Sequence, residues 1–395
     1  MAATDTNPIA APTDLAAHDA AITGTGSMAL RILAPILACL AVGLAVTGLG
    51  AALGDYPDNV LKQVGVFIIA AVSLNIVNGF TGQFSMGHAG FMAVGGYVAA
   101  GVSYYASLLY FGTAQAQDGL LTMGHVFMSL GVIVGACAAA GMGYLVGLPS
   151  LRLRGDYLAI VTLGFGEIVR VILQQTSPQV NAADPAQLQA LRDAPFSTLI
   201  TLPFNGPLGF EAIPRYANNA WVWAVAAATC VVAYRVKTSS SGRAFLSIRE
   251  DEIAARSMGI NLTRYKVRAF VLAAFFAGVA GGLLAHIGVP LSPVDAGFQR
   301  SFEIIIMVVL GGLGSISGAV LAAVLLTVMP ELLRDLQQYR LILYALLLIL
   351  VMLLRPQGLF GVREIWDLWS AKRPTTPPVT PPNSPPNSPP AEPAP

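Results

Sequence analysis

Three stretches of this 395-residue chain carry side chains equipped for chemistry. In the first, residues 75–90, the polar Asn75, Asn78, Gln83, Ser85 and His88 are interleaved with Gly79, Gly82, Gly87 and Gly90. Glycine and hydrogen-bonding groups at this density rule out a plain lipid-facing helix. An interrupted backbone at membrane depth is tolerated only where protein or water covers it, as transporters do at substrate sites. The run reads either as a break lining a pathway or as a short connection whose small residues allow close helix packing. In the second stretch, Thr162 is followed by Glu167 and Arg170 on an otherwise apolar run. Opposite charges at i, i+3 share a helical face, and ionisable groups within a span face the bundle interior and pair. Mutual neutralisation is the first reading and contact with a zwitterionic substrate the second. Glu303 is a similar candidate with no evident local partner, while His88 and His286, isolated on apolar runs, read as hydrogen-bonded packing residues.

The third stretch, residues 242–260, is polar and reads as one short surface helix. Its acids Glu250, Asp251 and Glu252 lie near a helix start and Gly259 near its end, as the helix dipole and C-terminal capping favour. Ala254, Ala255 and Met258 form a compact face that another protein could grip. The flanking Arg and Lys residues favour instead an amphipathic helix lying on lipid. Both readings stay open from these residues alone.

No catalytic set appears. The chain has no Gly-x-x-x-x-Gly-Lys-Ser/Thr loop to cradle ATP phosphates, no His-Glu-x-x-His and no Gly-x-Ser-x-Gly. Cys39, Cys137 and Cys230 lie far apart in apolar runs without metal-ligand spacing, so they read as small buried hydrophobes. Neither a metal nor a cofactor is expected.

The elements that must hold these residues are membrane helices. Hydrophobic residues make up 55% of the chain and charged residues 11%, against about a quarter charged in a soluble protein. The net charge of +1 supplies no field for a polyanion, which argues against nucleic acid. The fold class is therefore all-α, a polytopic helical bundle. Candidate spans are 30–53, 61–78, 88–111, 122–148, 156–175, 218–235, 268–289, 301–313, 316–333 and 340–354. The first is too long for a signal-peptide core.

Residues 301–333 form either one long helix or two elements broken at Gly311, Gly312 and Gly314, and charge decides between them. Cytoplasmic loops carry the Lys and Arg excess. Between Arg235 and Arg268 the cations Arg235, Lys237, Arg243, Arg249, Arg256, Arg264, Lys266 and Arg268 face three acids, so this loop is placed inside. A break at the glycines returns Arg355, Arg363, Lys372 and Arg373 to the same side. Ten segments with both ends inside is the consistent topology, short or broken helices included. Residues 1–28 then form a polar cytoplasmic tail and 177–217 a proline-rich outer loop whose length suggests docking or covering. Residues 362–395 form a cytoplasmic tail read as disordered. Eleven of its last 22 residues are proline, so no core can form there.

The run from Gly242 through Gly259, Tyr265-Lys266-Val267, Ala277-Gly278, Ala280-Gly281-Gly282 and Ser292-Pro293 resembles the branched-chain amino acid ABC transporter permeases. So do Met307 to Ser315 with its three glycines, and Arg355-Pro356-Gln357-Gly358-Leu359. Upstream, Asn75, Gly79, Gly82, Ser85, Gly87 and His88, and the block from Gly155-Asp156-Tyr157 to Arg170, continue the likeness. It extends over about residues 60–361, in family order. The resemblance implies that 29–361 is the permease domain of an importer in a bacterial cytoplasmic membrane. Its partners would be a second, related permease, two ATP-binding subunits and an external amino-acid-binding protein. ATP hydrolysis would lie on those separate subunits.

Within that resemblance, 237–267 looks like the coupling loop, with Arg249, Glu250, Asp251, Glu252, Ala254, Ala255, Met258 and Gly259 meeting the ATPase. The general importer pattern is Glu-Ala-Ala with Gly four residues on. Here Ile253-Ala254-Ala255 and Gly259 occupy those places, with Glu252 one position early. Leucine, isoleucine and valine are the first choice of substrate. Urea or short-chain amides are the alternative, and a secondary transporter would be a different class altogether.

Overall fold

The computed structural model describes residues 25–113, 122–150, 157–181, 183–194, 197 and 202–333, with positions 339, 342, 345, 346, 349, 353, 358, 359, 361 and 364. The described chain is helical. The helices are α1 (Thr25–Leu53), α2 (Asp55–Asn75), α3 (His88–Phe111), α4 (Met123–Ser150), α5 (Tyr157–Gln174) and α6 (Pro185–Asp193). They continue with α7 (Asn219–Thr238), α8 (Ser240–Glu250), α9 (Glu252–Ser257), α10 (Leu262–His286), α11 (Phe298–Gly311) and α12 (Ile316–Leu332).

Six of the described helical stretches are long and apolar enough to cross a bilayer: Tyr56–Phe80, His88–Phe111, Met123–Leu148, Tyr157–Gln174, Asn219–Thr238 and Leu262–His286. Ile36–Gly50 and Ile316–Leu332 are shorter apolar helices. With 14 residues, α11 reaches only ~21 Å at about 1.5 Å per residue, short of the ~30 Å hydrocarbon layer. Most of the tenth expected segment, 340–354, lies outside the described residues, although positions 342, 345, 346, 349 and 353 are helical. Tails 1–24 and 365–395 lie outside them too.

Two helices form the middle of the bundle because their sequences leave no polar face. The α2 run from Val64 to Val77 is buried on every side, as a helix apolar all round must be. Helix α10 presents Ala273, Ala277, Gly278, Ala280, Gly281 and Ala285, all buried. Its glycines lie against backbone rather than side chains. A methyl group on Gly281 would collide with the Met92 carbonyl of α3, and one on Gly95 of α3 would collide with Gly278. Lipid supplies little hydrophobic drive between helices, so such close approach is what binds them. Helix α4 completes this unit, and Cys137 on its outer face is exposed rather than buried. The expectation that all three cysteines are buried therefore holds for Cys39, is met only partly at the half-buried Cys230, and fails at Cys137, where α4 turns an apolar face outward.

The segment after α5 folds back over the end of α3. Tyr104 donates to the Val180 carbonyl at 2.8 Å and Tyr105 to that of Pro203 at 2.7 Å, while Phe210 and Leu291 form a short bridge. His286 and His88 are both buried and hydrogen-bonded: His286 bonds Ser103 at 2.6 Å and the Gly282 carbonyl at 2.6 Å, and His88 bonds Ser73 at 2.7 Å.

The glycine contacts give a direct test. Gly281→Ala should destabilise the purified subunit by roughly 1–3 kcal/mol, the usual range for overpacking, read as a fall of several degrees in its unfolding temperature in detergent. Gly164→Ala, where the added methyl meets nothing within 4 Å, should leave it unchanged.

Candidate functional site

Two places interrupt the helices, and they interrupt them at the same point in space. Helix α2 passes into a π-helical turn, Ile76–Phe80, and then into non-helical chain up to Gly87. The second break is the turn between α11 and α12, where Gly312 and Gly314 have φ of 105° and 89°, values that favour glycine. This confirms the division of 301–333 at its glycines. The side chain of Asn75 joins the breaks: its Oδ1 accepts from the Gly314 N–H at 2.9 Å and its Nδ2 donates to the Ser315 carbonyl at 2.9 Å. Gly79 has no room for a side chain between Asn75 and Gly314.

Other predicted residues line the first break. Asn78 Oδ1 accepts from the Ser85 N–H at 3.2 Å, and Thr162 Oγ1 of α5 accepts from the Met86 N–H at 3.0 Å. Gly87 lies against the Thr162 carbonyl, and Gly82 has φ 67° beside Arg249. Asn78 Nδ2, both amide atoms of Gln83 and Ser85 Oγ are buried without a hydrogen-bond partner. The first break therefore concentrates amide and hydroxyl groups of Asn78, Gln83 and Ser85 in one place. Ser85 and His88 lie beside Leu74, Val77, Phe91 and Phe270, with no space among them large enough for water.

The polar stretch 242–260 is two helices, which corrects the single surface helix read from sequence. Asp251 is extended at φ −156° and ψ 115°, and its carboxylate accepts from the N–H groups of Ile253 and Ala254 at 2.7 and 3.1 Å. It caps α9 and thereby ends α8, because an N-cap residue must leave helical geometry. Gly259 follows α9 at φ 81°. Glu252 pairs with Lys266 of α10 at 2.6 Å, and Glu250 is exposed.

The compact face also differs from the expected one. Ala255 is 3% exposed and packs against Ile248 and Leu262, so it faces the permease. Ile253 and Met258 are 79% and 83% exposed, and Ala254 beside them is exposed. Helical phase explains this, since Ala255 and Ile253 lie on opposite sides of a one-and-a-half-turn helix. Arg249 turns inward as well. Its guanidinium donates to the Gly79 carbonyl at 2.8 Å and reaches the Leu313 carbonyl at 3.5 Å, touching both breaks.

Two residues of this junction escaped the sequence reading. Lys237, in the last turn of α7, donates to the Gly314 carbonyl at 2.7 Å and to Glu364 at 2.5 Å. Glu364 is 2% exposed although it lies within the stretch read as a disordered tail. Its carboxylate accepts from the N–H groups of Ile316 and Ser317, each at 3.0 Å, and from the Ser317 hydroxyl at 2.7 Å. Burial opposes its charge, yet Lys237 and these donors together hold its carboxyl below the usual carboxylate range. The contact is therefore complete at neutral pH and is lost only as pH falls through that lowered value. Neither residue carries a motif. Lys237 looked like one more loop cation, and Glu364 like a charge in a proline-rich tail.

Away from this junction, charged residues surround the start of α11. Glu167 and Arg170 pair at 2.6 Å, and Glu167 also accepts from the Phe298 N–H at 3.3 Å. Glu303 does have a local partner, which corrects the sequence reading: Arg300, three residues earlier, bonds it at 2.9 Å and Asp295 at 2.9 Å. Arg300 also lies over the Phe67 ring at 5.4 Å. These side chains keep roughly a third of their surface exposed. No group of His, Cys, Asp and Glu among the described residues could hold a metal ion.

The family described as branched-chain amino acid transport system, permease component, matches residues 56–354. The chain belongs to this permease family. It is 36% identical over 309 residues to the high-affinity branched-chain amino acid transport system permease protein LivM of Salmonella typhimurium, covering 74% of this chain and 67% of that one. A probable branched-chain amino acid transport permease LivM of Methanocaldococcus jannaschii is 24% identical, with 79% and 95% covered. The permease protein LivH of Escherichia coli is 24% identical, with 76% and 92% covered. No solved structure matches. This permease is thus a multi-pass membrane protein and a transport subunit.

The charged cluster yields a ranking. Arg300→Met leaves two carboxylates of this permease unpaired and Arg170→Met leaves one. Breaking a buried pair costs roughly 3–5 kcal/mol, and partial exposure reduces this to about 1–3. Arg300→Met should therefore lower the unfolding temperature in detergent more than Arg170→Met. The double change Glu167→Gln, Arg170→Met should recover most of what Arg170→Met loses.

Proposed function

We propose that this chain is a membrane-spanning subunit of an ATP-driven importer that carries leucine, isoleucine and valine across the cytoplasmic membrane. It would act beside a second permease, two cytoplasmic ATP-binding subunits and an external amino-acid-binding protein. Salmonella typhimurium has both a LivM and a LivH that the chain resembles, and two related permeases in one organism favour a paired arrangement. Both termini and the 237–267 loop lie on the cytoplasmic side in this reading.

The observation that carries the proposal is the form of α8 and α9. Helix α9 holds Ile253, Ala254 and Met258 out from the bundle, while Arg249 at the end of α8 holds the carbonyls of Gly79 and Leu313 within it. A push on α9 thus acts on the two places where membrane helices are already interrupted. Asn78, Gln83 and Ser85 lie in the first of those breaks. These residues, with Thr162, are the proposed lining of the inner end of the path. Amide and hydroxyl groups suit a zwitterion, and the apolar walls around them suit an aliphatic side chain.

Reconstitution with the partner subunits should give leucine uptake that requires ATP and the binding protein and is not displaced by excess urea or acetamide. Uptake driven by an ion gradient alone, or displaced by urea, would overturn the assignment. Within that assay Ile253→Asp combined with Met258→Asp should leave membrane abundance normal, reduce uptake at least tenfold and release the ATPase. Arg256→Gln should do much less. Ala255→Trp should reduce abundance too, since Ala255 packs inward.

A further inference from the structure

Beyond the last apolar segment, Glu364 returns to the end of the bundle that holds the coupling helices. It occupies the N-terminus of α12, accepting from two main-chain N–H groups and the Ser317 hydroxyl. A capping role alone would account for those bonds. The ion pair with Lys237 goes further, because Lys237 belongs to the last turn of α7, directly before α8, and donates at the same time to the Gly314 carbonyl. The N–H of the same Gly314 is held by Asn75. Both main-chain groups of one glycine are thus fixed, one from α2 and one from the root of the coupling segment. Glu364 orients the lysine that makes the second contact.

We propose that Glu364 is a positioning residue for energy coupling. Through Lys237 it fastens the α11–α12 turn to the base of α8, so that movement imposed on α8 and α9 carries this turn with it. Arg249 makes the parallel attachment from the other end of α8. The inference rests on the importer reading, and it gives the segment following the final span a role in transport.

The test measures ATP hydrolysis and leucine uptake in the same vesicles, using the complete reconstituted importer. Glu364→Gln and Lys237→Met should each reach normal abundance, retain the ATPase and hydrolyse ATP within twofold of the unmodified complex. Uptake should fall fivefold or more, so that ATP consumed per leucine rises by the same factor. The double variant should be no worse than the more impaired single, since one contact is removed, and Lys237→Arg should restore part of the lost coupling. An unchanged ratio in the single variants would overturn the inference, as would hydrolysis and uptake falling together. If Glu364→Gln does not accumulate, the ratio in Lys237→Met decides, and failure of both to accumulate would reduce the contact to a structural one. An unmodified complex without ATP-driven leucine uptake would instead overturn the importer reading itself.

Discussion

A main-chain N–H or C=O within an apolar bundle must find a partner there, because no water is at hand to supply one. Most of this chain meets that demand with helices. Where helices stop inside the bundle, at 76–87 and at 311–315, the demand is met by groups from distant parts of the sequence. Asn75 serves the N–H of Gly314 and the carbonyl of Ser315, Arg249 serves the carbonyls of Gly79 and Leu313, Lys237 serves that of Gly314, and Glu364 serves the N–H groups of α12. Five elements therefore meet at one junction because two of them are broken.

The two parts of the bundle are built from different interactions. Helices α3, α4 and α10 approach through glycine and alanine, where atoms of one backbone touch another and a single methyl group finds no space. Such contacts do not exchange partners easily, so this part acts as a frame. The junction of the breaks is held by side-chain hydrogen bonds and ion pairs, which can be exchanged for other polar partners in discrete steps. It also contains the buried polar side chains of Asn78, Gln83 and Ser85. The bundle therefore joins a closely packed frame to a polar junction held by side-chain bonds.

The pairs around α11 follow the same economy of charge in another place. That helix is too short to cross a bilayer, and its first N–H groups start beside Glu167. Glu167, Arg170, Asp295, Arg300 and Glu303 neutralise one another there. Each of these charges thus has an opposite partner, and their partial exposure distinguishes them from a closed core.

Hydropathy alone placed α3 at 88–111, since a run of apolar residues is a local property, whereas separating α11 from α12 at Gly311 to Gly314 also needed the distribution of Lys and Arg along the chain. The amide- and glycine-rich run at 75–90, likewise local, announced a break. The direction in which a side chain points from a short polar helix is not local: Ala255 and Arg249 turned inward because Leu262, Ile248 and the carbonyls of Gly79 and Leu313 lie behind them. Capping by Asp251 divided a helix that composition ran together. The partners of Gly314 are Asn75 and Lys237, and the partner of Lys237 is Glu364, residues far apart along the chain that no spacing rule links. The sequence by itself determined that the chain is an apolar helical bundle, and that it breaks after Asn75 and at Gly311 to Gly314. Only the tertiary structure decided which distant groups satisfy those breaks, because that depends on helices meeting in space.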